Sequence, residues 1–407
     1  MTADAMSAGD TAWLLVSSAL VLLMIPALAL FYGGMVRRKN VLSTLMHSLA
    51  ALPVLSITWV LFGYSLAFGP THGGIIGGLD YVGLRGIVGT LHDTVPNYAF
   101  IAFQMMFAAI TPALISGAVA ERMKFSAYMV FIILWSALVY VPVAHWVWAT
   151  GGWLFELHAL DFAGGTVVHL TAGASALVCA IVLGPRLKYP QERPPPHNLT
   201  MTLTGAGLLW FGWFGFNAGS ALKSTPLAAL AFLVTHLGAA GGALGWLFIE
   251  WWHRGKPTAL GVASGLVAGL VAITPAAGFV APWAAIVIGV LAGLACYAGV
   301  LAKYKYGYDD SLDAFGVHGV GGFTGAVLTG VFAQTAYNAD GADGLLFGGV
   351  RPFLIQIVAC AASGLYAAAV TWVLLKVLDR AMGIRASAAD EREGLDSTQH
   401  GEDAYAG

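Results

Sequence analysis

Charged residues in this chain fall in a few clusters, and between the clusters run long stretches that carry no charge at all. A helix that crosses a bilayer needs about 20 predominantly apolar residues. Eleven stretches reach or approach that length: about 11–32, 41–69, 97–120, 124–149, 162–184, 198–218, 225–252, 258–275, 281–302, 312–333 and 349–378. The sixth is the least apolar, because Gly and Thr crowd its start. The pattern predicts an all-α polytopic membrane protein. Its parts are a short N-terminal segment at 1–10, a transmembrane unit at 11–378 and a polar tail at 379–407.

The positive charges test this division. Arg37, Arg38 and Lys39 follow the first stretch, Arg122 and Lys124 the third, and Arg186, Lys188 and Arg193 the fifth. Arg254 and Lys256 follow the seventh, and Lys303 and Lys305 the ninth, while Lys376, Arg380, Arg385 and Arg392 lie at and beyond the end of the last. The loops on the other side hold only Arg85, Lys223 and Arg351, so the bias is sixteen of the nineteen Lys and Arg. The excess marks the cytoplasmic side, which places the N-terminus outside and the C-terminus in the cytoplasm.

Composition agrees. The chain is 58% hydrophobic and 10% charged, where soluble domains carry about a quarter charged residues. The net charge of −2 says little about partners, and no nucleic acid is expected. Cys179, Cys296 and Cys360 show neither a disulfide framework nor zinc-ligand spacing. The segment 1–10 lacks a basic start, and the first apolar run ends in a basic stop. It reads as a retained span rather than a cleaved signal.

Three short patterns repeat. Asp161 stands eight residues before His169, and Asp310 eight before His318; each His follows a Val and precedes a Gly by four (Gly173, Gly322). Ala109-Ile110-Thr111-Pro112-Ala113 in the third stretch returns as Ala272-Ile273-Thr274-Pro275-Ala276 in the eighth. The first stretch ends Phe31-Tyr32-Gly33-Gly34 and the sixth ends Phe216-Asn217-Ala218-Gly219. The pairs are five stretches apart, and an odd offset reverses orientation. Spans 1–5 and 6–10 therefore read as an inverted repeat with the substrate path between the halves; the eleventh is peripheral.

Ionisable groups at bilayer depth are rare and point to function. Eight helical residues rise about 12 Å, so His169 and His318 reach the midplane from opposite ends and can meet. Two neutral imidazoles share one N–H···N bond and can relay a proton. The alternative is a pair of separate packing histidines. Asp161, Asp310 and Asp313 fit helix capping, and Asp161 adds negative potential at the outer mouth. A metal site using Asp161, His169 and His318 fails on distance, since about 12 Å of helix separates Asp161 from His169. No metal or other cofactor and no enzymatic activity are expected. Phe107, Trp148, Trp213 and Phe216 are aromatic groups able to face a cation, although aromatic residues also populate membrane interfaces generally.

Asp161-Phe162-Ala163-Gly164-Gly165-Thr166-Val167-Val168-His169, Phe211-Gly212-Trp213-Phe214-Gly215-Phe216-Asn217-Ala218-Gly219-Ser220 and Phe315-Gly316-Val317-His318-Gly319 together resemble the Amt/Mep/Rh ammonium transporters, most nearly their bacterial Amt branch. The resemblance covers essentially the whole chain. It implies a homotrimer in the cell inner membrane with one pore per subunit. It further implies twin pore histidines at His169 and His318, and an entrance gate of Phe107 and Phe216. Ammonium, with methylammonium as a second substrate, would be recruited at Trp148 and Ser220 beside Phe107 and Trp213, above Asp161. The tail, with Glu393, Gly394, Leu395, Asp396 and Tyr405, resembles the Amt tail that couples subunits and meets PII-type regulators. The expected activity is ammonium transport, and the alternative is an ammonium sensor acting through that tail.

Overall fold

The structure, a computed structural model, describes residues 6–192 and 195–405. Residues 1–5 of the N-terminal segment and Arg193 of the positive set lie outside the described residues. The helices are α1 Ala8–Met35, α2 Arg38–Phe68, α3 Asn97–Val119, α4 Phe125–Glu156, α5 Gly165–Leu183, α6 Leu199–Gly219, α7 Pro226–Arg254, α8 Ala259–Ile273, α9 Pro282–Tyr306, α10 Phe315–Phe332 and α11 Val350–Met382. All but α8 are long and apolar enough to cross a membrane, so the chain is a multi-pass membrane protein.

Local sequence explains five of the helix starts. Ser7, Asn198 and Thr258 accept a backbone N–H with their side chains and start α1, α6 and α8. Pro226 and Pro282 occupy first turns, where a missing N–H costs nothing. The Gly- and Thr-rich start of the sixth stretch is thus a capped helix, as α1 and α8 are.

The eighth helix differs from expectation. It has 15 residues and spans about 22 Å, less than the hydrocarbon core. It stops before Pro275, whereas the identical pentapeptide in α3 continues as helix through Pro112. In both, the Thr hydroxyl donates to the carbonyl four residues back, Thr111 to Phe107 at 2.6 Å and Thr274 to Leu270 at 2.8 Å. The local motif is shared, and the surrounding fold decides whether the helix runs on.

α1 lies along α6, and α7, α8 and α9 pack together. α5 and α10 pack on each other. A Cβ at Gly173 in α5 would overlap the backbone of Gly319 in α10, so only glycine permits this approach. α11 covers α4, α5 and α10 and leaves most of its apolar surface outside.

Candidate functional site

The central feature begins with two turns of unusual pitch. Gly165–Leu170 and Phe315–Gly319 are π turns at the heads of α5 and α10. His169 donates its N–H to the Gly164 carbonyl, five residues back, at 3.0 Å. Such turns hold one residue more than an α turn and concentrate at functional sites. Each head is held by the aspartate of the repeated frame. Asp161 accepts from the N–H groups of Gly164, Gly165, Thr166 and Val167 at 2.6–3.1 Å, and from the Thr166 hydroxyl. Asp310 accepts from the N–H of Ala314 and Phe315 at 3.1 and 2.8 Å. Burial pushes both carboxyls up, and these donors pull back toward the ionised form. Asp313 differs from the capping expectation: its carboxylate pairs with Lys303, the nearest buried cation, not with the start of α10.

His169 and His318 meet. Their Nδ1 atoms stand 3.3 Å apart, with ring planes 16° from parallel. His169 also stacks on Trp213 (centroids 5.4 Å) and Phe216 (5.8 Å). Its Nε2 is buried and has no partner among the described residues. Both histidines line a cavity of only about 10 Å³, walled by Leu28, Ile110, Leu114, Val168 and Leu209. That is room for roughly one water-sized molecule.

Phe107 and Phe216 close this cavity at one end. Their centroids are 4.2 Å apart, and beyond Phe107 opens a vestibule of about 440 Å³. Trp148 and Ser220 line the vestibule with Phe107. Trp148 stands edge-on to Phe107 at 6.0 Å and donates its Nε1–H to the Asp161 carbonyl at 2.9 Å. Ser220 donates its hydroxyl hydrogen to the Phe216 carbonyl at 2.9 Å, which leaves its oxygen free to accept. Trp213 is a correction. It does not line the vestibule but lies buried behind Phe216, donating to Thr274 Oγ1 at 2.9 Å and facing His169. Sequence reasoning also missed Gln104 and the rings of Tyr64, Phe68 and Phe100 in the vestibule wall. Gln104 carried one signal, its place a turn before Phe107.

At the other end a cavity of about 160 Å³ is lined by Arg37, Glu121, Arg186, Lys303 and Asp313. Glu121 is buried and accepts from Arg37 (2.9 Å), Asn40 (3.0 Å) and Arg186 (2.8 Å). Burial alone would raise this carboxyl, but Arg186 and Arg37 hold it at about 2. Arg186 also grips Asp309 through two guanidinium N–H groups at 2.8 Å.

The tail docks beside this network. Leu395 donates its N–H to Asn40 Oδ1 at 2.8 Å, and Ser43 donates to Asp396 at 2.8 Å, so Asp396 covers the start of α2. Tyr405 meets His197 at 2.9 Å under the guanidinium of Arg38, whereas Glu393 is exposed.

Fold and site together define a multi-pass membrane protein with a narrow histidine-bearing path between two vestibules. The model of the Ammonium Transporter Family matches residues 12–405, and the chain belongs to that family. An ammonium transporter of Bacillus subtilis (strain 168) is 53% identical over 404 residues, covering 98% of this chain and 99% of that protein. The crystal structure of Saccharomyces cerevisiae Mep2 superposes with a TM-score of 0.89 at 39% identity, covering 94% of this chain and 88% of the other. A structure described as a sensor Amt protein matches with a TM-score of 0.90 at 28% identity over 96% of this chain and 98% of its own.

Proposed function

We propose that this chain is an ammonium transporter of the cytoplasmic membrane, with its N-terminus outside and its tail inside. Ammonium is recruited at Trp148 and Ser220 above Phe107 and Phe216. It leaves its proton there, crosses as ammonia past His169 and His318, and exits by the charged vestibule. The contact between the two histidines, directly behind the phenylalanine pair, carries this reading. A cavity for one small molecule with aliphatic walls offers a metal cation nothing to replace its hydration shell. The proton follows along the imidazoles, so transport is electrogenic. The matched capping aspartates and π turns support the inverted repeat. The family resemblance supports a homotrimer, methylammonium as a second substrate, and a PII-type partner at the tail.

The test is the charge displaced when ammonium is pulsed onto proteoliposomes at two lipid-to-protein ratios. A current whose decay slows as protein becomes sparser supports continuous electrogenic transport. A transient independent of the ratio refutes it in favour of binding alone.

A sensing role is the second reading, favoured by the similarity to the sensor Amt protein and by the docked tail. Ammonium uptake in cells lacking other ammonium transporters separates the two.

A further inference from the structure

The polar side chains that line the vestibule are Tyr64, Tyr81, His92, Gln104, Thr150 and Ser220. An ammonium ion that sheds water must place four N–H donors. No carboxylate among the described residues lines the vestibule. The Asp161 side chain is committed to its own helix head, and Trp148 directs its N–H to the Asp161 carbonyl. Ser220 presents one free oxygen. The vestibule wall contains one side-chain amide, Gln104.

Gln104 lies on α3, one turn before Phe107, and is 9% exposed. Its Oε1 is buried and has no hydrogen-bond partner among the described residues. A buried acceptor without a donor is unfavourable and uncommon. It also means that no hydrogen bond to this oxygen fixes the amide orientation. The terminal torsion of a glutamine is broad and roughly two-fold. Turning the amide by half a revolution exchanges its nitrogen and oxygen, so the acceptor takes the place that the nitrogen held.

We infer that Gln104 is a second ammonium acceptor of the outer site, turning its amide oxygen onto an N–H of the ion held over Phe107. This rests on the recruitment reading given above. With Ser220 it supplies two neutral acceptors, while the rings of Phe107 and Trp148 supply π faces. A neutral amide binds the cation without holding it as a carboxylate would. The site therefore distinguishes solutes by their N–H count. Methylammonium has three N–H groups and a methyl group, so it satisfies fewer of the acceptors and faces than ammonium does.

The experiment compares wild type, Gln104→Leu and Gln104→Glu in proteoliposomes, titrating ammonium and methylammonium. Size-exclusion behaviour and unfolding midpoint confirm the fold of each variant. Gln104→Leu is expected to raise the half-saturating ammonium concentration about tenfold or more, the effect of one charge-assisted hydrogen bond. The methylammonium value moves less, so discrimination narrows. Gln104→Glu lowers half-saturation for both ions and slows turnover. The inference is overturned if folded Gln104→Leu matches wild type for both solutes, or if both half-saturation values rise by the same factor. A wild-type protein that moves neither solute would instead refute the transport reading itself.

Discussion

His169 and His318 touch through the same atom, Nδ1, at 3.3 Å. One Nδ1 must therefore carry hydrogen while the other accepts it, and the two Nε2 atoms take opposite roles. The neutral pair is asymmetric, and moving one proton through it inverts the asymmetry.

Replacing His169 with Ala would break the proposed relay and leave His318 without its partner. Proteoliposomes of His169→Ala are expected to lose ammonium current by roughly a hundredfold, the scale of a positioned proton-transfer group. A variant that keeps both its ammonium current and its exclusion of potassium would rule out the relay.

Asp161 accepts five hydrogen bonds from the residues that build the π turn under His169. Asp161→Asn turns one acceptor into a donor that faces other donors. We expect a loss of about 2–3 kcal/mol, seen as a lower unfolding midpoint in detergent together with reduced transport. Lost transport with an unchanged midpoint would show that Asp161 acts on the solute rather than on the turn.

Glu121 joins the loop between α1 and α2 to Arg186 and, through Asn40, to the tail. Its carboxyl is held at about 2 in the fold, below its ordinary value of 4.5. A depressed carboxyl contributes stability above its unfolded pKa and loses it as pH falls toward the folded one. The contribution should be complete at pH 6 and decline below about pH 4.5. Glu121→Gln should be less stable than wild type near neutrality, with the difference shrinking on acidification. Unfolding midpoints from pH 3 to pH 7 measure this, and parallel curves for the two proteins would contradict it.

Gly394 stands at φ 130°, and a Cβ there would meet the Lys39 carbonyl at 2.7 Å and Lys39 Cβ at 2.8 Å. Gly394→Val should lift the segment carrying Leu395 and Asp396 off α2 while leaving the helical unit folded. Limited proteolysis in detergent should then cut the tail at least several-fold faster than in wild type. Equal cleavage rates would show that the tail is not held at this point.

The aspartate–histidine frame was legible because both halves of the chain write it at the same spacing. The helices were legible because a bilayer tolerates so few charges. Trp213 was not, because it lies one helical turn from Phe216 and chain proximity does not say on which side of the Phe107–Phe216 pair a ring falls. Asp313 resembled Asp310 as a capping residue, yet only the fold brings Lys303 to it. Gln104 has no repeated partner or charge to mark it. The early end of α8 was hidden because the same five residues continue as helix in α3, so the difference lies in the packing around them.

The π turns at His169 and His318 amount to an inserted residue in each half. Deleting one residue there would make either helix more regular, closing its ladder without interruption. It would also rotate the residues before the deletion by about 100° relative to those after it, dissociating the aspartate cap from the imidazole below. A sequence change that favours the helix as a helix would thus remove the contact between the two imidazoles. Insertions and deletions in these two turns should be tolerated far less than substitutions of their apolar neighbours.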